Sequence, residues 1–187
     1  MSISLLHPYA VAIALGANLG DRRAHIVFAL EEIAALPLTA IIAASTFHET
    51  QPVGPISQGL FLNAAALLVT RLTPQALLHH LHLIESAHGR DRASEQRWGP
   101  RTLDLDVLVY GDLVLDSPAL TIPHARMSER AFVLEPLAEI APDLRIPPGG
   151  RTVAEMLRAL RAFPSNPEEH KPGHEKGDPS GSPVQGH

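Results

Sequence analysis

Asp104 and Asp106 stand two residues apart in the run Leu103-Asp104-Leu105-Asp106-Val107-Leu108-Val109-Tyr110. Side chains alternate along a strand, so both carboxylates leave on one face while Leu105 and Val107 point the other way, into a core. Adjacent carboxylates repel, and the pair is costly unless a cation lies between them or water screens them. Oxygen donors, with no cysteine and no helical histidine pair nearby, suit Mg²⁺. On spacing alone, an exposed edge-strand pair with no role fits equally well. Arg90, Arg92, Arg97 and Arg101 precede the pair on a Gly/Pro-interrupted loop. Each guanidinium can bond phosphate oxygens bidentately. Taken alone, the loop reads more simply as solvated surface, partly balanced by Asp91 and Glu95. Beside Asp-x-Asp the set changes meaning: cations for phosphate charge and carboxylates for metal are the parts that phosphoryl transfer needs. Trp98, the only tryptophan, lies among these arginines. It reads as a lid over a ligand, with a core anchor as the alternative.

Other phosphate-binding patterns are missing. No G-x-x-x-x-G-K-[ST] or G-x-G-x-x-G run is present. The body holds thirteen arginines and no lysine, the two lysines being Lys171 and Lys176 near the end. Gly16-Ala17-Asn18-Leu19-Gly20 reads as a tight strand-to-helix turn, with Asp21 near the helix start. Asn63 interrupts an apolar strand, and a buried amide needs partners. Aromatic residues are 4% of the chain. Phe61 and Phe132 are therefore worth noticing, although core packing is the commoner fate of phenylalanine.

The elements that must position these residues follow from periodicity and punctuation. Tyr9 to Leu15 reads as a buried strand. Arg22 to Leu36 carries apolar residues at helical spacing and stops before Pro37. Ala40 to Phe47 is strand-like, Glu49 to Gly59 is a polar loop, and Phe61 to Thr70 is a strand whose alanines also allow helix. Thr73-Pro74 is a good cap for a helix reaching about His88. After the loop Gly89 to Pro100, Leu103 to Tyr110 is a strand, and Gly111-Asp112 is expected to turn it into a hairpin with Leu113 to Leu115. A helix from about Ser128 and another opened by the capping box Thr152-Val153-Ala154-Glu155 complete the body. The order strand, helix, strand, strand, helix, strand is that of an α+β, ferredoxin-like antiparallel sheet, β-α-β-β-α-β, with helices on one face, here with an added hairpin and C-terminal helices.

Composition bounds the rest. The chain has 187 residues, 45% hydrophobic and 19% charged, which suits one domain, expected over 1–163. Residues 164–187 are rich in Pro, Gly, Ser and charge, and are expected to be a disordered tail. The absence of cysteine excludes disulfides and thiolate metal sites. A formal charge of -5 argues against nucleic acid as a partner. No run is long enough to span a bilayer, and the N-terminus has no basic region or cleavage pattern, so the cytoplasm is expected.

The run Arg97-Trp98-Gly99-Pro100-Arg101-Thr102-Leu103-Asp104-Leu105-Asp106 resembles the signature of the 6-hydroxymethyl-7,8-dihydropterin pyrophosphokinases, folate-pathway enzymes. The resemblance continues through Gly16 to Gly20, Thr50-Gln51-Pro52-Val53-Gly54-Pro55, Phe61-Leu62-Asn63-Ala64, Pro123-His124, Arg130 and Phe132. It implies Mg-dependent transfer of the β,γ-pyrophosphoryl group of ATP to the hydroxymethyl group of the reduced pterin, leaving AMP. It further implies two Mg²⁺ ions on Asp104 and Asp106, with Arg92 and Arg101 on phosphates and Arg90 assisting transfer. Glu85, Thr121, His124 and Arg130 would lie at the nucleotide. Phe61 and Phe132 would stack on the pterin, Asn63 would read its edge, Thr50 and Val53 would contribute through their loop, and Trp98 would close over the site. ATP and the pterin are the expected partners, and a monomer is the expected state. A ferredoxin-like module gripping RNA is the rival reading. The net charge and the aspartates weigh against it, because carboxylates beside a phosphate backbone need a metal.

Overall fold

The computed structural model describes residues 9–90 and 98–162. Arg92, Arg97 and the expected tail lie outside the described residues. The main sheet has the strand order β2-β4-β1-β5, formed by β1 (Tyr9–Ala17), β2 (Thr39–Ala44), β4 (Phe61–Thr70) and β5 (Asp104–Tyr110). A short strand β3 (His48–Thr50) also pairs with β4, and every pairing is antiparallel. The segment expected as one strand from Ala40 to Phe47 therefore breaks at Ala44, and the chain rejoins β4 at His48. Ser45 holds the break, since its hydroxyl accepts from Ala65 N at 2.9 Å.

Helix α1 (Arg22–Ala34) starts where Asp21 accepts from Ala24 N at 3.0 Å. Helix α2 (Pro74–Ala87) is capped by the Thr73 hydroxyl, with Pro74 where a missing N–H costs nothing. Their stripes Ile26, Ala29, Ile33 and Leu77, Leu81, Ile84 pack on Val11, Ile13, Leu15, Leu68 and Leu105, and this is the larger core. Leu105 and Val107 do face that core, as alternation requires.

The hairpin expectation is corrected. Gly111-Asp112 does make a turn, with Leu113 N donating to Tyr110 O at 3.0 Å. The residues after it do not pair with β5. Instead β6 (Leu115–Asp116) pairs with β7 (Thr121–Ile122). Helices α3 (Ala131–Ile140) and α4 (Val153–Ala162) follow, with β8 (Arg145–Ile146) and β9 (Arg151–Thr152) between them. The capping box at α4 forms as expected: Thr152 N donates to Glu155 and Glu155 N donates to the Thr152 hydroxyl. Val133, Leu134, Leu137, Val153 and Met156 pack with Ala12, Ala65 and Leu108 as a second core. Helices thus cover both faces of the sheet rather than one, α3 and α4 lying opposite α1 and α2.

Candidate functional site

The second face is only partly covered, and the gap is a cleft of about 340 Å³. Its floor is two rows of the sheet. Asn63, Gly16 and Asp104 are consecutive partners across β4, β1 and β5. Ala65, Ala14 and Asp106 form the next row on the same face. Small residues in the middle strand keep the floor low between the amide and the carboxylates. A Cβ on Gly16 would meet Asn63 Oδ1 at 3.1 Å, so glycine there leaves room for the amide. Phe61, Thr50 and Val53 line one side, Phe132 and Arg130 another, and Trp98 and Arg101 a third.

The two aspartates, although alike in sequence, differ in surroundings. Asp104 accepts from Arg90 at 2.5 Å and from Arg101 at 2.6 Å. Burial lifts its carboxyl, but Arg101 and Arg90 together hold it below the usual carboxylate range. The side chains nearest Asp106 stand farther off, the His124 imidazole at 3.9 Å and the Arg130 guanidinium at 4.0 Å. Burial, and then the Asp104 charge beside it, push the Asp106 carboxyl above that range. Burial also pushes the His124 imidazole down, against the pull of Asp106. His124 reaches this position through a β-bulge. Val107 and Val109 pair with Ile13 and Ala12, Leu108 is left over, and Leu108 O accepts from His124 N at 2.9 Å.

Thr50, Val53, Phe61, Asn63, Trp98, Arg101, Asp104, Asp106, Arg130 and Phe132 all line the cleft. Thr121 and His124 sit at its β5 edge, on β7 and just after it, and do not line it. Glu85 is completely buried. Its carboxylate accepts from Leu105 N at 2.8 Å and from Arg90, which in turn donates to Asp104. Glu85 therefore stands behind the site and is joined to Asp104 through Arg90. Arg92 lies outside the described residues.

Several residues at the site had no role assigned from the sequence. Asn18 accepts from Arg101 N at 2.7 Å and donates to Gln58 at 2.8 Å, and Gln58 donates to Trp98 O at 2.8 Å. This chain of bonds ties the turn after β1 to both long loops. Trp98 lies against Gly54, whose φ of +118° would strain any other residue, and the Arg126 guanidinium stands 5.2 Å from the Trp98 ring. The signal for Asn18 was its place in the Gly-Ala-Asn-Leu-Gly turn. Gln58 and Arg126 had none, because their partners are distant in sequence.

The donor set fits Mg²⁺. Carboxylate oxygens face an open cleft, and the raised Asp106 carboxyl is one whose charge a bound cation would offset. Among the described residues no cluster of three or more His, Cys, Asp or Glu side chains could hold a metal. The remaining coordination would come from phosphate oxygens and water, the usual habit of Mg²⁺. Among the described residues Arg101 Nε is buried without a partner, a donor left over on the cleft wall.

Comparison with known proteins bears on the same residues. The model of the 7,8-dihydro-6-hydroxymethylpterin-pyrophosphokinase (HPPK) family matches residues 12–142. The 2-amino-4-hydroxy-6-hydroxymethyldihydropteridine pyrophosphokinase of Pseudomonas aeruginosa is 48% identical over 149 residues, 80% of this chain and 90% of that one. The protein of that name from Methylorubrum extorquens is 48% identical over 148 residues, 79% of this chain and 91% of its own. A Plasmodium falciparum HPPK-DHPS triple mutant solved with pteroate superposes with a TM-score of 0.66 over 86% of this chain. At 13% identity that likeness is one of fold, and this chain spans 43% of the solved one. The family match covers both floor rows, the loop from Gln51 to Gly59 and α3, and so the chain belongs to the 7,8-dihydro-6-hydroxymethylpterin-pyrophosphokinase family.

Proposed function

We propose that this chain, a pyrophosphokinase of folate biosynthesis by family, uses Mg²⁺ and ATP to pyrophosphorylate 6-hydroxymethyl-7,8-dihydropterin. The hydroxymethyl oxygen forms a bond to the β-phosphorus of ATP. The bond from that phosphorus to the α,β-bridging oxygen breaks, AMP leaves, and the hydroxyl proton is released. The single observation that carries the proposal is the floor of the cleft. An amide, a glycine and a carboxylate lie in one row, with a second carboxylate in the next. That floor offers a heterocycle-reading end and a charged end within one cavity.

At the first end, Phe61 and Phe132 stack on the pterin from β4 and α3. Asn63, whose amide donates to the Thr50 hydroxyl at 2.7 Å, presents its oxygen to the ring edge, while Thr50 and Val53 close the side. At the second end, Asp104 and Asp106 would hold two Mg²⁺ ions, which would offset phosphate charge. Arg101 and Arg92 grip the phosphates, Arg90 assists transfer, and Glu85 keeps Arg90 aimed. Thr121, His124 and Arg130 border the nucleotide, and Trp98 closes over both substrates. We read the sheet as ferredoxin-like, supported by the strand order β2-β4-β1-β5 with α1 and α2 on one face. The chain acts as a monomer in the cytoplasm and has no nucleic-acid or membrane partner. No helix among the described residues is long and apolar enough to cross a membrane. The test is AMP release from ATP and Mg²⁺ with and without the hydroxymethyl pterin. Release that does not depend on the pterin would overturn the proposal, and light scattering checks the mass in solution.

A further inference from the structure

We infer that Glu139, which does not line the cleft, is a positioning residue for its pterin end: its carboxylate latches the chain entering β3 onto α3. The latch fixes Phe132 relative to Thr50, Phe61 and Asn63. The inference rests on the pterin site proposed above.

Three donors converge on this one carboxylate. Glu139 Oε1 accepts from Thr46 N at 2.9 Å, and Oε2 accepts from the Thr46 hydroxyl at 2.9 Å. His48 Nε2 lies 3.0 Å from the same Oε2. The His48 bond first, then the Thr46 backbone bond, hold the Glu139 carboxyl below its usual range. The two partner segments are distant in sequence, His48 and Glu139 being 91 residues apart and Thr46 and Glu139 93.

Apolar packing also joins α3 to the sheet, through Val133, Leu137 and Ala65. Such packing is non-directional and tolerates a small slide of the helix along the strands. Hydrogen bonds to a backbone N–H and two side-chain donors do not, because they weaken steeply with angle and distance. Glu139 and Phe132 are seven positions apart on α3, two turns along one face and about 10 Å from each other. On the strand side, His48 pairs with Asn63 and Thr50 with Phe61. The latch therefore grips the same β3–β4 ladder that carries Thr50, Phe61 and Asn63, and the same helix that carries Phe132. Asp104, Asp106 and Arg101 lie beyond β1, on and before β5, and are not joined to it. Losing the latch should loosen the aromatic gap and spare the triphosphate end. An ion pair that contributed only general stability would move both ends or neither.

The test is steady-state kinetics on the full chain with Glu139→Ala and Glu139→Gln, with thermal melting of each and Arg158→Ala as a surface control. Glu139→Ala should raise the pterin KM about three- to ten-fold while the ATP KM and kcat stay within about two-fold. Glu139→Gln keeps an acceptor for Thr46 N and should fall between Ala and wild type. Should the Ala variant melt too early for assay, the Gln variant decides alone. An unchanged pterin KM, or equal rises in both KM values, would overturn the inference. A wild-type chain with no pterin-dependent AMP release would instead overturn the proposed function, so the two failures are distinguishable.

Discussion

One step along three strands separates the core of this protein from its cleft. Leu15, Ala64 and Leu105 are partners in one row, all buried against α1 and α2. Gly16, Asn63 and Asp104 are partners in the next, and they floor the cleft on the opposite face. The two rows belong to the same antiparallel ladders. What differs is the cover: two helices close the first face, while α3 and α4 leave part of the second open. Stability and chemistry are therefore carried back to back by the same strands, and a substitution should affect one or the other according to the parity of its position.

The largest effect that would break this separation concerns the aspartates. Asp104→Ala or Asp106→Ala should lower transfer on the order of 10³-fold, since oriented charge is the main source of rate in phosphoryl transfer. The melting temperature of metal-free Asp106→Ala should be unchanged or higher, because a repelling carboxylate is gone. Calorimetry beside AMP release checks both, and near-normal turnover in either variant would remove the metal role.

The opposite face sets the next test. Leu105→Ala should cost about 2–5 kcal/mol of stability through the cavity it leaves. Both KM values should stay near wild type below the melting point, as denaturant titration and kinetics would show. If the KM for ATP shifted before unfolding, the two faces would be mechanically coupled.

Arg101 sharpens the comparison within the cleft. Arg101→Ala should raise the ATP KM and lower kcat, together about ten- to a hundred-fold, and Lys should rescue poorly because it lacks the fork. Losses no larger than those of Arg158→Ala would make Arg101 ordinary surface.

The smallest effect is one of pH on the closed face. Burial first, then Tyr9, push the Tyr110 hydroxyl up to about 12. The protonated hydroxyl donates to Leu72 O, a bond the phenolate cannot make. Because the folded value lies above the unfolded one, near 10, the stabilisation is full below pH 10 and is lost as pH rises through 12. Wild type should lose melting temperature across that window. Tyr110→Phe should lose less, and parallel curves for the two would count against this account.

Much of the site was legible because it is local. The Asp-x-Asp parity, the caps at Thr73 and Thr152, and the placement of Phe61 and Asn63 on one strand face need only the chain's near neighbours. Other features were not legible because they are choices among distant surfaces. Gly111-Asp112 announces a turn, but no local residue says that β6 will pair with β7 and not β5. The bulge at Leu108, which brings His124 toward Asp106, follows from register across β1 and leaves no mark in the β5 sequence.

The sequence by itself determined which residues could do chemistry and on which side of a strand each would stand, since side-chain alternation is a property of the extended backbone. Only the tertiary structure decided how each is used. Asp104 is spent on Arg90 and Arg101 while Asp106 keeps a raised carboxyl, and Glu85 is buried behind the site rather than facing the cleft. The reason is that charge energetics depend on the spatial neighbours and on access to water. Both are set by which elements cover a face, and not by spacing along the chain.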